Sequence, residues 1–222
     1  MDALRIAALW ILFAGTHMGL SSQRLRPRLV ARLGERGFQA VYSLVALATF
    51  VPLVSSYYSH KHAGPFLWTL IQLPAVRWTG YALMGAAFVL VVAGLVQPSP
   101  ASLSPGKPVV RGVARITRHP LLMGFGLWGT AHLLLAVVHA SELAFFGGFL
   151  IFAIVGCDHQ DQRKLATLGE SYRTYVDATP FFPFTRQGFV RGLVEMPMPV
   201  ALAVGIGLAW GLRNYAHRWL AG

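Results

Sequence analysis

Six long apolar runs constrain this chain more than any other feature. They cover residues 4–20, 38–58, 78–96, 121–138, 143–157 and 196–212, and each is nearly free of charge. A helix needs about 20 residues to cross hydrocarbon. In lipid the backbone must satisfy its own hydrogen bonds, so the runs are expected to be helices. None shows the alternation of an outer-membrane strand. The fifth run is short for a span. Composition closes off a soluble fold: 55% of the residues are hydrophobic and 12% charged, against roughly 25% charged in an ordinary soluble domain. The expected fold is all-α, a polytopic membrane helical bundle of about six transmembrane helices, forming a single domain over residues 1–222.

The basic residues give the topology. Arg24, Arg26, Arg28, Arg32 and Arg36 lie between runs one and two. Lys107, Arg111, Arg115 and Arg118 lie between runs three and four, and Arg163, Lys164, Arg173, Arg186 and Arg191 between runs five and six. Only Arg5, Lys61, Arg77, Arg213 and Arg218 fall elsewhere. Basic loops stay cytoplasmic, so both termini are expected outside. The net charge of +11 follows from that topology and from attraction to anionic lipid. No nucleic-acid partner is expected. Arg24, Arg28 and Arg32 recur every four residues, with Leu25, Leu29 and Leu33 one position on, the pattern of a short helix in the headgroup layer. The first run lacks a basic leader and an A-x-A site, so it is expected to be retained as a helix. The single cysteine, Cys157, leaves no intrachain disulfide and no cysteine metal cluster.

Among eight histidines, His17 and His132 stand inside apolar runs. His139, His159 and His217 stand near run ends, where an imidazole is comfortable. An ionisable group within a membrane helix is costly and points to function. Two of them on two helices suggest a shared ligand, and metal ligation is the commonest task of neutral imidazole. No carboxylate or thiolate beside them completes a zinc site or an iron triad. Two histidines do suit haem, whose porphyrin supplies the other ligands. Gly15, Gly19, Gly124, Gly126 and Gly129 would let a macrocycle approach, with Phe125 and Trp128 lining it, although small residues also serve plain helix packing. At about 1.5 Å of rise per residue, depth leaves both a His17–His132 and a His17–His119 pair open. Arg115 and Arg118 are candidate propionate partners by charge. The Arg118-His119-Pro120 segment equally reads as a helix start, since proline suits the first helical position.

The segments THMGLSSQRLRPRLVARLGERGFQAVYSL, SHKHAG, RITRHPLLMGFGLWGTAHLL and TPFFPF together resemble the NnrU family. The resemblance runs from about residue 8 to residue 211 and matches four histidines in order: His17, His60, His119 and His132. That family includes bacterial proteins linked to denitrification and a plant carotene isomerase. The resemblance implies a multi-helix membrane protein holding one haem b, its iron ligated by His17 and His132. It further implies functional roles for His60 and for His119. The implied activity is cis–trans isomerisation of a polyene such as zeta-carotene, a hydrophobic small-molecule substrate met in membrane lipid. The alternative is a haem redox or accessory protein of nitrite and nitric oxide reduction. The isomerase has a cysteine where this chain has Gly129, which removes any thiolate at that point. TRHPLLMG followed by LATLGESYRTYVDATPFFP is more distantly similar to the isoprenylcysteine and phospholipid methyltransferases. That similarity implies S-adenosylmethionine near His119, Asp161 and Tyr172. Leu122 stands where their tyrosine is expected, and Asp161 with Gln162 forms an incomplete acidic pair. Oligomeric state is not encoded in any of these patterns.

Overall fold

The computed structural model describes residues 1–101, 109–185, 188–196 and 198–211. Lys107, Arg186, Arg213, His217, Arg218 and the end of the sixth run lie outside the described residues. In chain order the elements are α1 (Asp2–Leu20), α2 (Leu25–Ser59), β1 (Phe66–Thr69), α3 (Pro74–Val96), a 3-10 turn (Gly112–Arg115), α4 (Pro120–Leu135), β2 (Val137–His139), α5 (Ala140–Leu168), α6 (Glu170–Ala178), α7 (Phe189–Glu195) and α8 (Met198–Gly211). Helices α1, α2, α3 and α5 are long and apolar enough to cross a membrane; α4 is apolar but shorter. The protein is therefore an all-α membrane protein. The residues group into two compact units, Met1–Leu70 with Ala136–Gly148, and Ile71–Leu135 with Phe149–Gly222.

In the first unit α1 packs along α2. Thr49, Leu53, Ser56 and Tyr57 form the buried face of α2, a helical spacing, while Leu44, Leu47 and Val51 remain exposed. Such an exposed apolar row is what a lipid-facing helix presents. The basic segment before residue 34 is helical, as its spacing predicts, and Arg24, Arg28 and Arg32 are all exposed. It is a helix of its own, as that spacing predicts: Gly34, with a φ of 71° and a ψ of 166°, separates it from the span that follows, in a region glycine enters at little cost.

Trp10 joins α1 to the start of α5. Its indole Nε1–H donates to the Phe145 carbonyl at 3.1 Å, and Phe145 stacks on Tyr57 with centroids 4.1 Å apart. Gly148 lies directly under that indole: an added Cβ would collide with Trp10 Nε1 and its neighbouring carbons. Valine at 148 is therefore expected to destabilise the protein by about 1–3 kcal/mol through overpacking. A lowered thermal midpoint in detergent, with no rescue by alanine, is the expected measurement.

Two expectations about run ends need correction. The fourth run was expected to stay helical to residue 138, but α4 ends at Leu135 and Val137–His139 form β2, antiparallel to β1. Branched valines suit an extended ladder, and a partner strand from the 60–70 loop is available there. The fifth run, expected to be short, is a helix of 29 residues. It starts at Ala140 and continues past Cys157 through polar residues that do not need lipid.

In the second unit α3 packs against α4 and α8. A methyl group at Gly124 would meet the Ala87 carbonyl and Val91 of α3, and one at Gly126 would meet Ala153 of α5. These two glycines thus serve close helix approach and not a macrocycle. Leu90, Ala93, Val113, Ile116, Met123, Cys157 and Met196 form the core beneath them.

Candidate functional site

The segment before α4 carries a buried polar cluster within the second unit. Pro120 opens α4, where its missing N–H costs nothing, and this sets Arg118 and His119 at the helix entrance. The Arg118 N–H donates to the Pro180 carbonyl at 3.0 Å, and Thr117 Oγ1–H donates to the Phe181 carbonyl at 2.7 Å. The chain before α4 is thus laced to the TPFFPF segment. Arg118 then reaches α5: its Nε–H and an Nη–H both lie 2.8 Å from Asp161 Oδ2. A second Nη donates to the Thr179 carbonyl at 3.0 Å, and the guanidinium lies over the Phe181 ring, 5.1 Å from its centroid. Asp161 Oδ1 accepts from the Tyr172 hydroxyl at 2.7 Å and has His119 Nε2 at 2.9 Å.

Arg118, His119 and Asp161 are all buried, and Tyr172 is fully so. A buried charge is tolerable only when paired and hydrogen-bonded, and here the guanidinium and carboxylate neutralise one another. Burial first, then the bond to Asp161, holds the Tyr172 phenol far above its ordinary range, so it acts as a neutral donor. Burial likewise pushes Tyr175 up to about 12. Tyr175 shares a 3.1 Å contact with Ser99, whose hydroxyl donates to the Arg118 carbonyl at 2.5 Å. His119 is less well served. Its Nε2 is close to Asp161 but off the hydrogen-bonding direction, and its Nδ1 finds no hydrogen-bond partner among the described residues. A buried imidazole in that state is a place where a proton or a ligand can be received.

Arg115, the other candidate propionate partner, is tied elsewhere. Its Nε–H donates to Glu195 Oε2 at 2.8 Å, and the Gly112 N–H donates to the same oxygen at 2.9 Å. Arg115, then the Gly112 amide and Arg191, bring the Glu195 carboxyl from 4.5 down to about 2. A lowered folded-state value adds stability above the unfolded value, lost as pH falls through the folded one. The difference in thermal midpoint between the parent and Glu195→Gln should therefore hold down to pH 4.5 and vanish as pH approaches about 2.

The remaining histidines lie in different places. His17 belongs to the first unit, its ring 4.6 Å from Tyr42 and 5.3 Å from Phe13. His60 ends α2; its Nδ1–H donates to the Ser56 carbonyl at 2.8 Å, and its Nε2 lies 3.7 Å from Asp2. His132 belongs to the second unit. Its Nδ1–H donates to the Trp128 carbonyl at 2.9 Å, and its ring lies 4.2 Å from the Trp128 ring.

The chain matches the NnrU protein family over residues 5–222. It belongs to that family. It is also similar to the chloroplastic 15-cis-zeta-carotene isomerase of Zea mays, with 26% identity over 197 residues, 85% of this chain and 51% of that relative. Against the enzyme of the same name from Arabidopsis thaliana it is 26% identical over 218 residues, 89% of this chain and 56% of that relative. The chain thus spans about half the length of the curated relatives it matches. No solved structure matches it significantly.

The residues of this NnrU chain can be tested for fit to haem. A ligating histidine usually donates its other ring N–H to a carbonyl or carboxylate, which fixes the tautomer. His132 does this through Trp128. The aromatic setting of His17 is apolar, as a haem edge requires. The donor set fits. Sequence reasoning missed Ser99, Thr179 and Tyr175 as partners of the Arg118 cluster. It also missed Glu142, a buried carboxylate at the start of α5. One signal was available for Glu142: a lone acid entering an apolar run in a chain with only 8 acidic residues.

Proposed function

We propose that this NnrU-family protein is a membrane-embedded haem b protein that isomerises a cis double bond of a lipid-soluble polyene. The observation that carries the reading is the Nδ1–H of His132 held on the Trp128 carbonyl within an apolar helix. Similarity to two zeta-carotene isomerases supports the substrate class. His17 and His132 would hold the iron. When bound, haem supplies a redox-active centre whose potential the protein tunes through ligands and burial. The chain's own part is to fix the His132 ring, to surround His17 with Phe13 and Tyr42, and to keep both in apolar helices that a polyene reaches from lipid. His60 and His119 are the proposed proton-handling groups, one bonded to Ser56 and the other facing Asp161.

The test is an absorption spectrum of the protein purified in detergent from haem-supplied cells, followed by chromatography of a 15-cis polyene incubated with it. A Soret band and conversion are expected. Lack of a Soret band after haem supplementation overturns the reading. Carbon monoxide binding to the reduced form supports a catalytic site, whereas an inert six-coordinate spectrum supports the redox role in nitrogen-oxide reduction.

A second reading has one observation in its favour. Arg118, His119, Asp161 and Tyr172, the region the methyltransferase likeness singles out, form one hydrogen-bonded cluster. Binding of S-adenosylmethionine by haem-free protein would put methyl transfer first. Both Asp161 oxygens already have partners, which argues for a structural cluster.

A further inference from the structure

Away from these residues, the first unit gathers His62, His139 and Glu142, whose ligand atoms lie within 4.8 Å of one another. Their positions follow from local folding. Glu142 stands in the first turn of α5, where a carboxylate is favoured by the helix dipole. Its Oε1 accepts from the His62 N–H at 2.9 Å and its Oε2 from the His139 N–H at 2.9 Å. The loop after α2 is laced to the same turn: the Ala63 N–H donates to Ser141 Oγ at 3.0 Å, and the Ala140 N–H to the Pro65 carbonyl at 3.1 Å. His139 ends β2, paired with Phe66 of β1.

Capping explains the two amide bonds but not the two imidazoles. His62 Nδ1 lies 3.4 Å from Glu142 Oε1, and His139 Nδ1 lies 3.6 Å from Glu142 Oε2. Both exceed a good hydrogen bond. The imidazoles face different oxygens of one carboxylate, and one ligand atom from each of the three residues lies within 4.8 Å of the others, close enough to converge on a single ion with small side-chain adjustment. The Glu142 side chain is 1% exposed, so its charge calls for a cation close by. The Tyr57 side chain interacts with the same carboxylate but is no cation. His62 adopts a φ of 59°, uncommon outside glycine. Its side chain is 58% exposed, which gives an ion an entry path and a position for water.

We propose that His62, His139 and Glu142 bind a divalent ion of the zinc class. Two imidazoles and one carboxylate with an open fourth position are a borderline-soft donor set, suited to zinc over magnesium or calcium. The ion ties the loop after α2 to the start of α5 and to the β1–β2 ribbon. This site is independent of the haem reading and uses none of its residues.

The experiment titrates the tag-free, full-length protein in detergent with cobalt(II), then with zinc(II). One equivalent of cobalt should give visible ligand-field absorption that zinc removes, and zinc should raise the thermal midpoint as ligand binding to the folded state requires. His62→Ala, at an exposed position where folding is not at stake, should lose the band and weaken zinc binding at least about tenfold. His139→Ala should do the same, and His17→Ala should keep the band. Absence of the cobalt band in the parent protein, or an unchanged band in His62→Ala and His139→Ala, overturns the proposal.

Discussion

Replacing Asp161 by alanine is expected to destabilise the protein by about 3–5 kcal/mol, the usual cost of leaving one partner of a buried ion pair alone. Among the described residues Arg118 would keep its charge with the Thr179 carbonyl and the Phe181 face as partners. Tyr172 would lose its acceptor while remaining fully buried, and His119 would lose the carboxylate 2.9 Å from its Nε2. Because Arg118, Asp161 and Tyr172 tie the segment before α4 to α5 and α6, the loss should appear as a single lowered thermal midpoint in detergent. Asp161→Asn should cost less, since the amide oxygen still accepts one bond. The double change Arg118→Met with Asp161→Leu should recover much of the loss, because well-packed apolar residues often replace a buried pair without penalty. A double variant as unstable as Asp161→Ala would show that the cluster does more than neutralise its own charges.

The second large effect is expected at His132. His132→Ala should remove the Soret band, and supplying haem to the purified variant should not restore it. The imidazole is held by Trp128 on its own helix. His17→Ala should behave alike, with its partner ring Tyr42 left facing a gap. Imidazole added in solution should partly restore the band in either variant, an outcome that a merely misfolded protein does not give. Retention of a full band in both variants would falsify the ligand pair while leaving the membrane fold untouched.

Much of the fold was legible because lipid imposes a simple rule. Apolar runs at 4–20, 38–58 and 78–96 must be helices, and α1, α2 and α3 follow them. The stripe of Arg24, Arg28 and Arg32 foretold the basic helical segment. What failed were the run ends. At Val137 the chain leaves the helix for a strand because β1 offers it a ladder, and no local pattern announces a partner some seventy positions away. The Asp161 cluster was half legible. Arg118, His119, Asp161 and Tyr172 carried a motif, whereas Ser99 and Thr179 are ordinary polar residues until the TPFFPF segment folds onto the α4 entrance. The glycines misled for a related reason: close approach to Ala87, Val91 and Ala153 depends on which helices become neighbours.

The sequence by itself determined that this is a helical membrane protein and which histidines stand within its helices, because hydrocarbon screens each segment on its own composition. Only the tertiary structure decided which polar groups meet. The meetings of Glu142 with His62 and His139, and of Asp161 with Arg118 and Tyr172, depend on where loops return. The buried carboxylates then favour those partners, since a charge removed from water must find its counterpart nearby.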